Sequence, residues 1–199
     1  MLFGVQNNTT IVLKDAEISY DEHFLSNSEA STYFDVLRKE TDWQQDRIKV
    51  FGKDYDQPRL TALFANNKKP YSYSNITMHP TPFSPVLLEI KSKIEKTLNQ
   101  TFTTCLLNLY RNGQDSNGWH ADNEKELGIN PVIASLSLGA ERLFHMKHRT
   151  DKTQKIRLHL AHGSLLVMSG STQHHWLHQI PKTKKNVGER INLTFRIIK

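Results

Sequence analysis

The last run of the chain, residues 190–197, alternates between polar and apolar side chains and so restricts how this segment can fold. Its polar positions are Arg190, Asn192, Thr194 and Arg196, and its apolar positions are Ile191, Leu193, Phe195 and Ile197. Side chains of a β-strand point alternately to its two faces, so the run predicts a strand with one core face and one face carrying two arginines. A buried cation is costly unless it is paired, and we therefore expect an anionic ligand, such as a dicarboxylate, on the polar face.

A second feature, the run Gly118–Asp122, offers metal ligands. On an extended segment His120 and Asp122 point to the same face, because they are two residues apart. Another histidine would complete a set of two imidazoles and one carboxylate, which leaves positions on Fe(II) open for chemistry. Three histidines, too closely spaced for spacing alone to choose among them, could supply it: His174, His175 and His178. Iron with open positions beside a dicarboxylate is typical of a 2-oxoglutarate-dependent dioxygenase.

Strand-like runs crowd the second half of the chain. They cover residues 103–110, 117–122, 132–138, 142–148, 155–160, 164–168, 174–178 and 190–198. About eight strands in a hundred residues predict a double-sheet jelly roll or a barrel. In the first half, a capping box at Ser26–Glu29 and the pair Ser84-Pro85 each predict the start of a helix. We expect an α+β, mainly β, fold: a double-stranded β-helix (jelly roll) whose N-terminal helices buttress one sheet.

Charge and cysteine content narrow the class of protein. The chain has 26 Lys plus Arg against 20 Asp plus Glu, a net charge of +6 that permits a polyanionic partner without identifying one. Its one cysteine, Cys105, excludes an intramolecular disulfide and a cysteine-based zinc site. The N-terminus predicts no signal peptide, and no stretch approaches the ~20 apolar residues of a membrane span. We expect an intracellular monomer without membrane contact, cytoplasmic in a bacterium and nuclear in a eukaryote.

Four blocks of the sequence carry a resemblance to a known family. They are Asn108–Gly113, His120–Asp122, His175–Pro181 and Arg190–Arg196. In this order they resemble the AlkB family of Fe(II)/2-oxoglutarate-dependent nucleic-acid demethylases, most of all its members that repair double-stranded DNA. His-x-Asp alone is a weak signal, whereas His-x-Asp followed by a distal histidine and Arg-x-Asn-x-Thr-Phe-Arg is strong. The resemblance selects His178 as the distal ligand, because the family's ligand lies just before a short segment that ends in proline.

The resemblance implies a complete catalytic centre. Fe(II) would be bound by His120, Asp122 and His178. The carboxylates of 2-oxoglutarate would be held by Arg190 and Arg196, and the assisting residues would be Asn108, Tyr110, Asn192 and Thr194. With O2, this centre would demethylate 1-methyladenine and 3-methylcytosine in DNA and release formaldehyde, succinate and CO2. One domain is expected over residues 1–199, with helical support and nucleotide-recognition hairpins in residues 1–100 and the catalytic jelly roll in residues 101–199.

The resemblance also implies contacts to a duplex with a flipped base. Phe51, followed by Gly52 and Lys53, would insert into the base stack from a hairpin. The segment Tyr71, Ser72 and Tyr73 would cover the flipped base, and Lys184 and Lys185 would meet phosphates. Asn123 follows the metal aspartate where duplex-type members tend to carry an acid, so either Asn123 or Glu124 would recognise the exocyclic amine of the base.

Two other functions are compatible with the same residues. One is a 2-oxoglutarate dioxygenase that acts on RNA or on a protein side chain. The other is a catalytically silent nucleic-acid-binding module that keeps the metal site for structure. The intact triad and both arginines disfavour the silent module, because binding alone requires none of them together.

Overall fold

The computed structural model describes residues 8–50, 53–67, 71–73 and 76–198. The first half contains β1 (Asn8–Leu13), β2 (Ala16–Asp21), α1 (Asn27–Glu40), β3 (Arg47–Val50), β4 (Lys53–Asp56), β5 (Leu60–Ala65), β6 (Tyr71–Tyr73), β7 (Ile76–Met78) and α2 (Pro85–Leu98). The second half contains β8 (Thr104–Tyr110), β9 (Asn117–His120), β10 (Ile133–Gly139), β11 (Arg142–His148), β12 (Lys155–Leu160), β13 (Leu165–Ser169), α3 (Thr172–His175), β14 (Trp176–Ile180) and β15 (Arg190–Arg196).

Two antiparallel sheets face each other. Among the described residues, the large sheet has the strand order β1-β2-β13-β10-β15-β8-β5 and the small sheet has the order β12-β11-β14-β9. The strands β8 to β15 are shared between the two sheets, four in each, which is the arrangement of a double-stranded β-helix. The predicted jelly roll is therefore confirmed. Two hairpins, β3–β4 and β6–β7, stand outside these sheets.

The two long helices cover the outer face of the large sheet. α1 begins with the predicted capping box: the backbone N–H of Glu29 donates to Ser26 Oγ, and its carboxylate accepts from the backbone N–H of Ser26. α2 begins at Pro85 after the cap Ser84. The apolar faces of both helices share one core with the large sheet, whose members include Leu37, Ile90, Ile94, Leu107, Leu193 and Phe195. The helices thus support the sheet as the sequence predicts.

Strand β15 separates this core from the interior between the sheets. Ile191, Leu193 and Phe195 are fully buried in the helix-covered core. The four polar residues on the other face of β15 line a cavity between the sheets. Beside this cavity a second apolar core, which includes Ile133, Phe144, Met146 and Trp176, joins the two sheets. The alternation seen in the sequence therefore places the polar face of β15 inside the molecule.

Two element boundaries differ from the prediction. β9 ends at His120, so Asp122 follows the strand instead of lying on it. Residues 172–175 form the helical turn α3, which takes the first two residues of the predicted strand 174–178, and the strand runs over 176–180. The chain turns at Gly170, whose positive φ of 56° suits glycine, and the Thr172 hydroxyl donates to the Ser169 carbonyl across this turn. Among the described residues, no helix is long and apolar enough to cross a membrane.

Candidate active site

Strand register brings the two predicted histidine ligands together. His120 on β9 and His178 on β14 are direct partners in the antiparallel small sheet, and their ring centroids are 4.2 Å apart. With Asp122 they form a group in which the three ligand atoms all lie within 4.8 Å of one another. His178 and Asp122 are buried. The donor set of two imidazoles and one carboxylate fits Fe(II) with positions left open.

The hydrogen bonds of His120 orient its ring toward the site. Its Nδ1 lies 2.7 Å from the carbonyl oxygen of Gly118, which can only accept, so Nδ1 carries the proton. Nε2 therefore keeps its lone pair, which accepts from Asn117 Nδ2 at 3.2 Å. Burial lowers the pKa of His120, and burial together with the neighbouring His120 lowers the pKa of His178 to about 3. Both imidazoles are neutral near pH 7, the form that binds a metal ion.

Asp122 is fixed from two sides although it lies beyond the strand. Its backbone N–H donates to Gln173 Oε1 at 2.9 Å, and its Oδ1 accepts from Arg196 Nη2 at 2.8 Å. Burial by itself would raise the pKa of Asp122, but Arg196, with His178 and His120, holds it below the usual value. The carboxylate is therefore ionised and positioned before any metal binds.

Arg190 lies buried at the opposite end of β15, 1% exposed. Its Nη2 donates to Ser137 Oγ at 2.8 Å, whereas Nε and Nη1 have no hydrogen-bond partner within the described ranges. Burial lowers its pKa to about 10, so the guanidinium stays charged near pH 7. A buried cation with two unused N–H donors fits a ligand carboxylate.

The neighbouring polar residues of the large sheet are held by each other. The Asn192 amide donates to Ser135 Oγ at 2.8 Å and to the Leu136 carbonyl at 3.1 Å, and Thr194 Oγ1 donates to Asn192 Oδ1 at 3.1 Å. The ring of Tyr110 packs against two guanidinium groups. Its centroid is 5.2 Å from Cζ of Arg190 and 5.7 Å from Cζ of Arg142. These residues form an ordered polar surface on the large sheet.

A cavity of about 140 Å³ between the sheets brings the predicted groups together. The predicted metal and 2-oxoglutarate residues that line it are Asn108, Tyr110, His120, Asp122, His178, Arg190, Asn192, Thr194 and Arg196. Glu124 also lines it, whereas Asn123 is exposed. Of the two predicted candidates for base recognition, Glu124 is thus the one that borders the cavity.

Two arginines of the site were not predicted. Arg59 is buried, donates from Nε to Asn108 Oδ1 at 2.8 Å, and lines the cavity. Arg142 is buried and donates to the carbonyl oxygens of Asp115 at 2.9 Å and Pro181 at 2.7 Å. Each is a lone arginine at the start of a strand, a pattern that is usually a solvated strand end. No sequence signal distinguishes them.

Apart from Glu124, the predicted nucleic-acid contacts lie outside the cavity or outside the described residues. Phe51 and Gly52 are outside the described residues, and exposed Lys53 begins β4. Tyr71, Ser72 and Tyr73 form the backbone of β6, paired with β7. Lys184 and Lys185 are exposed on the loop between β14 and β15.

A second group with metal-ligand spacing consists of Asp15, His148 and His175. Here His148 Nδ1 lies 3.0 Å from the backbone N–H nitrogen of Asp151 and 3.3 Å from that of Thr150, so it accepts. The ring proton is then on Nε2, which donates to Asp15 Oδ2 at 3.2 Å. Because the ring nitrogen of His148 that faces Asp15 carries the proton, it offers no lone pair to a metal ion there, and its hydrogen bond ties the turn after β1 to β11.

Comparisons with solved structures agree with the fold. The structure of OsALKBH1 superposes with a TM-score of 0.63 at 15% identity, covering 95% of this chain and 100% of that chain. A prolyl hydroxylase from Trichoplax adhaerens, in complex with a peptide fragment, gives a TM-score of 0.62 at 10% identity, covering 91% of this chain and 83% of that chain. At these identities the likeness concerns the fold alone.

Sequence relatives are much more similar. A family model described as the 2OG-Fe(II) oxygenase superfamily matches residues 17–196. Alpha-ketoglutarate-dependent dioxygenase alkB homolog 3 of Bos taurus is 42% identical over 184 residues, which are 88% of this chain and 64% of that relative. DNA oxidative demethylase ALKBH2 of Homo sapiens is 39% identical over 181 residues, which are 86% of this chain and 69% of that relative. The predicted Fe(II), 2-oxoglutarate and O2 are the reagents of this superfamily. The chain belongs to the AlkB family within the 2OG-Fe(II) oxygenase superfamily.

Proposed function

We propose that this protein is an oxidative demethylase of N-methylated bases in DNA, with 1-methyladenine and 3-methylcytosine as substrates. The observation that carries the proposal is the cavity in which the His120–Asp122–His178 group and the buried cation Arg190 meet. The names of the two relatives, an alpha-ketoglutarate-dependent dioxygenase and a DNA oxidative demethylase, support the same activity and substrate class.

In this proposal His120, Asp122 and His178 hold Fe(II). The two neutral imidazoles and the ionised carboxylate need no proton release before they bind the ion. Arg196 donates to Asp122 and so fixes the direction of the carboxylate. When the centre is loaded, it supplies the oxidation of an N-methyl group, lost as formaldehyde, coupled to conversion of 2-oxoglutarate and O2 into succinate and CO2.

The polar face of β15 binds 2-oxoglutarate in this proposal. Arg196, next to Asp122, holds the carboxylate at the metal end, and Arg190 holds the distal carboxylate. The two Cα atoms are roughly 20 Å apart at strand rise, so both long side chains must lean inward. Arg190 Nε and Nη1, which have no partner among the described residues, are the donors left for the distal carboxylate. The other contacts to the ligand are assigned to Asn108, Tyr110, Asn192 and Thr194.

Glu124 is assigned to the base. It borders the cavity and offers a carboxylate that can accept from an exocyclic amine. The lesions carry a positive charge on the methylated ring, and a carboxylate is the side chain that favours such a ring over a neutral one. Asn123 is exposed, so it is assigned to the DNA strand on either side of the flipped base.

The DNA partner is proposed to be a duplex with one flipped base, bound by a monomer. Phe51, with Gly52 and Lys53, fills the gap in the stack, and Tyr71, Ser72 and Tyr73 cover the flipped base. Lys184 and Lys185, both exposed, take phosphates. A base that cannot pair costs less to flip out, which favours methylated bases over normal ones.

Succinate release, measured with different substrates, tests the proposal. Wild-type protein with iron, 2-oxoglutarate and a DNA oligonucleotide containing 1-methyladenine should release succinate and formaldehyde in equal amounts. Unmethylated DNA should give only a slow background. Turnover with methylated RNA or a protein digest, but not with methylated DNA, would support the first alternative function. No release with any substrate, together with intact DNA binding, would support the silent module.

A further inference from the structure

The outer face of the small sheet carries an exposed aromatic ring among cations. Trp119 lies on β9 on the side opposite to His120, because neighbouring residues of a strand point to opposite faces. On β11, Lys147 alternates with the buried residues Met146 and His148. The register pairs Lys147 with Lys155 of β12 and His145 with Arg157. Trp119, three cations and one histidine therefore share this face, which we call the Trp119 face.

The charge on the Trp119 face is unbalanced. Trp119, Lys147, Lys155 and Arg157 line one shallow depression, and no carboxylate contributes to its lining. Within the described ranges, none of the three cations forms an ion pair. Glu141, which precedes β11, is bonded to His159. Summed positive potential of this kind attracts a polyanion.

Trp119 supplies a feature that a simple cationic patch does not need. Its side chain is 40% exposed, whereas Trp176 is fully buried. Lys147 Nζ lies over one face of the indole ring, 4.2 Å from its centroid. The ammonium can pair with a phosphate while a base stacks on the opposite face of the ring, and stacking requires an unpaired base.

The Trp119 face is continuous with the candidate active site. β9 is an edge strand of the small sheet, so its two faces meet at the sheet edge without another strand between them. Trp119 immediately precedes His120, and the two residues are separated by one strand rise, about 3.3 Å. A strand that delivers a base to His120 can therefore pass round this edge.

We propose that the Trp119 face binds a single-stranded segment of DNA that adjoins the modified base, with a base stacked on Trp119 and phosphates on Lys147, Lys155 and Arg157. This inference rests on the proposed function, and it deepens it: the substrate is a duplex whose damaged strand continues as unpaired DNA. Within a blunt duplex, the paired and stacked bases present no free face to Trp119.

The experiment measures binding without iron or 2-oxoglutarate, using unmethylated oligothymidylate and a blunt duplex of equal length. Trp119→Ala should weaken oligothymidylate binding by about tenfold, within the range for a lost base–aromatic stack. Trp119→Phe should restore most of the affinity, and duplex binding should change little. Quenching of tryptophan fluorescence by oligothymidylate should be lost in both variants.

Charge variants on other strands test the same face independently of His120. Lys155→Ala and Arg157→Ala should each flatten the log–log salt dependence of oligothymidylate binding by about 0.7. The matched control is Lys39→Ala on α1, in the helical layer that covers the other sheet, and it should leave the slope unchanged. Melting temperatures check that each variant is folded.

Three results would overturn the proposal: wild-type oligothymidylate affinity in Trp119→Ala, equal losses on single strand and duplex, or slopes unchanged in Lys155→Ala and Arg157→Ala. Binding of a polyglutamate peptide as tight as that of oligothymidylate would also overturn it, by showing a general polyanion patch. A failure of the demethylation proposal looks different, because succinate release would then be absent in the wild type while these titrations still showed binding.

Discussion

His120 and His178 owe their positions to strand register, and Arg190 is a buried cation without a carboxylate partner among the described residues. The two histidines are opposite each other on β9 and β14, so neither needs a flexible loop to reach the ion site. Arg190 sits buried with two donors unused. At this scale the site is prepared for its ligands before they arrive, and single substitutions should separate their roles.

The first prediction concerns the distal ligand. His178→Ala should abolish stoichiometric Fe(II) binding and turnover while the fold is retained, because two remaining ligands cannot hold the ion in the required geometry. Iron content after anaerobic loading and gel filtration measures the effect. His174→Ala is the matched control, since His174 is exposed and four residues away. Iron loss in His174→Ala with retention in His178→Ala would show that the ligand is assigned to the wrong histidine.

The second prediction concerns Arg190. Arg190→Met should weaken 2-oxoglutarate binding by at least about a hundredfold, because breaking a buried ion pair costs about 3–5 kcal/mol. Without ligand the variant should melt no lower than the wild type, since a buried cation without a carboxylate partner is removed. Titration calorimetry and thermal melts give both quantities, with Arg38→Met, at a surface ion pair with Glu189, as control. Wild-type 2-oxoglutarate affinity in Arg190→Met would assign the anion site elsewhere.

At the scale of elements, the N-terminal half supports the jelly roll with two capped helices. It also carries two hairpins that stand outside the sheets. Glu29 closes the capping box of α1 and also accepts from Lys93 Nζ of α2 at 2.7 Å. One carboxylate therefore fixes a helix start and links the two helices. The hairpin β3–β4 pairs Val50 with Lys53, and Phe51 and Gly52 between them lie outside the described residues.

The third prediction is a pH dependence. Hydrogen bonds from Lys93 and Ser26 lower the pKa of Glu29 from 4.5 to about 2. A carboxyl whose folded pKa is lowered stabilises the fold above its unfolded pKa, and this stabilisation is lost as pH falls from about 4.5 to about 2. Glu29→Gln should cost below about 1 kcal/mol at pH 7, since the pair is partly exposed and screened.

The measurement for Glu29 is the difference in unfolding free energy between variant and wild type across pH. This difference should shrink as pH falls below about 4.5. Asp35→Asn, an exposed acid of α1 without an ion pair among the described residues, serves as control. A constant difference down to pH 2 would mean that the charge of Glu29 contributes nothing.

The fourth prediction concerns the β3–β4 hairpin. Unstacking a base from a duplex costs a few kcal/mol, and an inserted aromatic ring recovers roughly 1–3 kcal/mol by stacking. Phe51→Ala should therefore lower demethylation of 1-methyladenine in duplex DNA by about tenfold or more and change single-strand activity little. Steady-state rates on both substrates and a melting curve provide the test. Equal losses with a lower melting temperature would identify Phe51 as a core residue.

At the scale of the whole molecule, the site lies between the two sheets and takes residues from both. His120, Asp122 and His178 belong to the small sheet and the segment that follows β9, whereas Arg190 and Arg196 belong to the large sheet. The hydrogen bond from Arg196 to Asp122 already crosses between them. Ligands that bind both sheets should therefore stabilise the folded chain as one unit.

The fifth prediction follows from this coupling. Mn(II), a redox-silent substitute for iron, with 2-oxoglutarate at about 100 times their dissociation constants should stabilise the fold by about 2.7 kcal/mol per saturated site. For a chain of this size, that corresponds to a melting temperature higher by about 5–10 °C. A chelator should reverse the shift. The same shift in His178→Ala as in wild type would place the stabilising site elsewhere.

Much of the fold and of the candidate site could be predicted from local patterns in the sequence. The capping residues of α1 and α2, the alternation of β15 and the order of His120, Asp122 and the distal histidine act over a few residues, and side-chain periodicity reads them directly. The strand-like runs of the second half predicted the jelly roll, the caps predicted the two helices, and the resemblance of four sequence blocks indicated the family. The choice of His178 needed the family resemblance, because three nearby histidines have equivalent local chemistry.

Only the tertiary structure determined which side chains meet. Asp122 reaches the site from beyond β9 because Gln173 and Arg196, far away in sequence, bind it. Arg59 and Arg142 acquire their roles from carbonyl and amide partners in other strands and loops, and Asp15 acquires its role from His148. Such contacts depend on register between strands that are distant along the chain. The sequence by itself therefore determined the secondary-structure elements and the chemical groups that are available. Long-range pairing of strands determined which of these residues form the site.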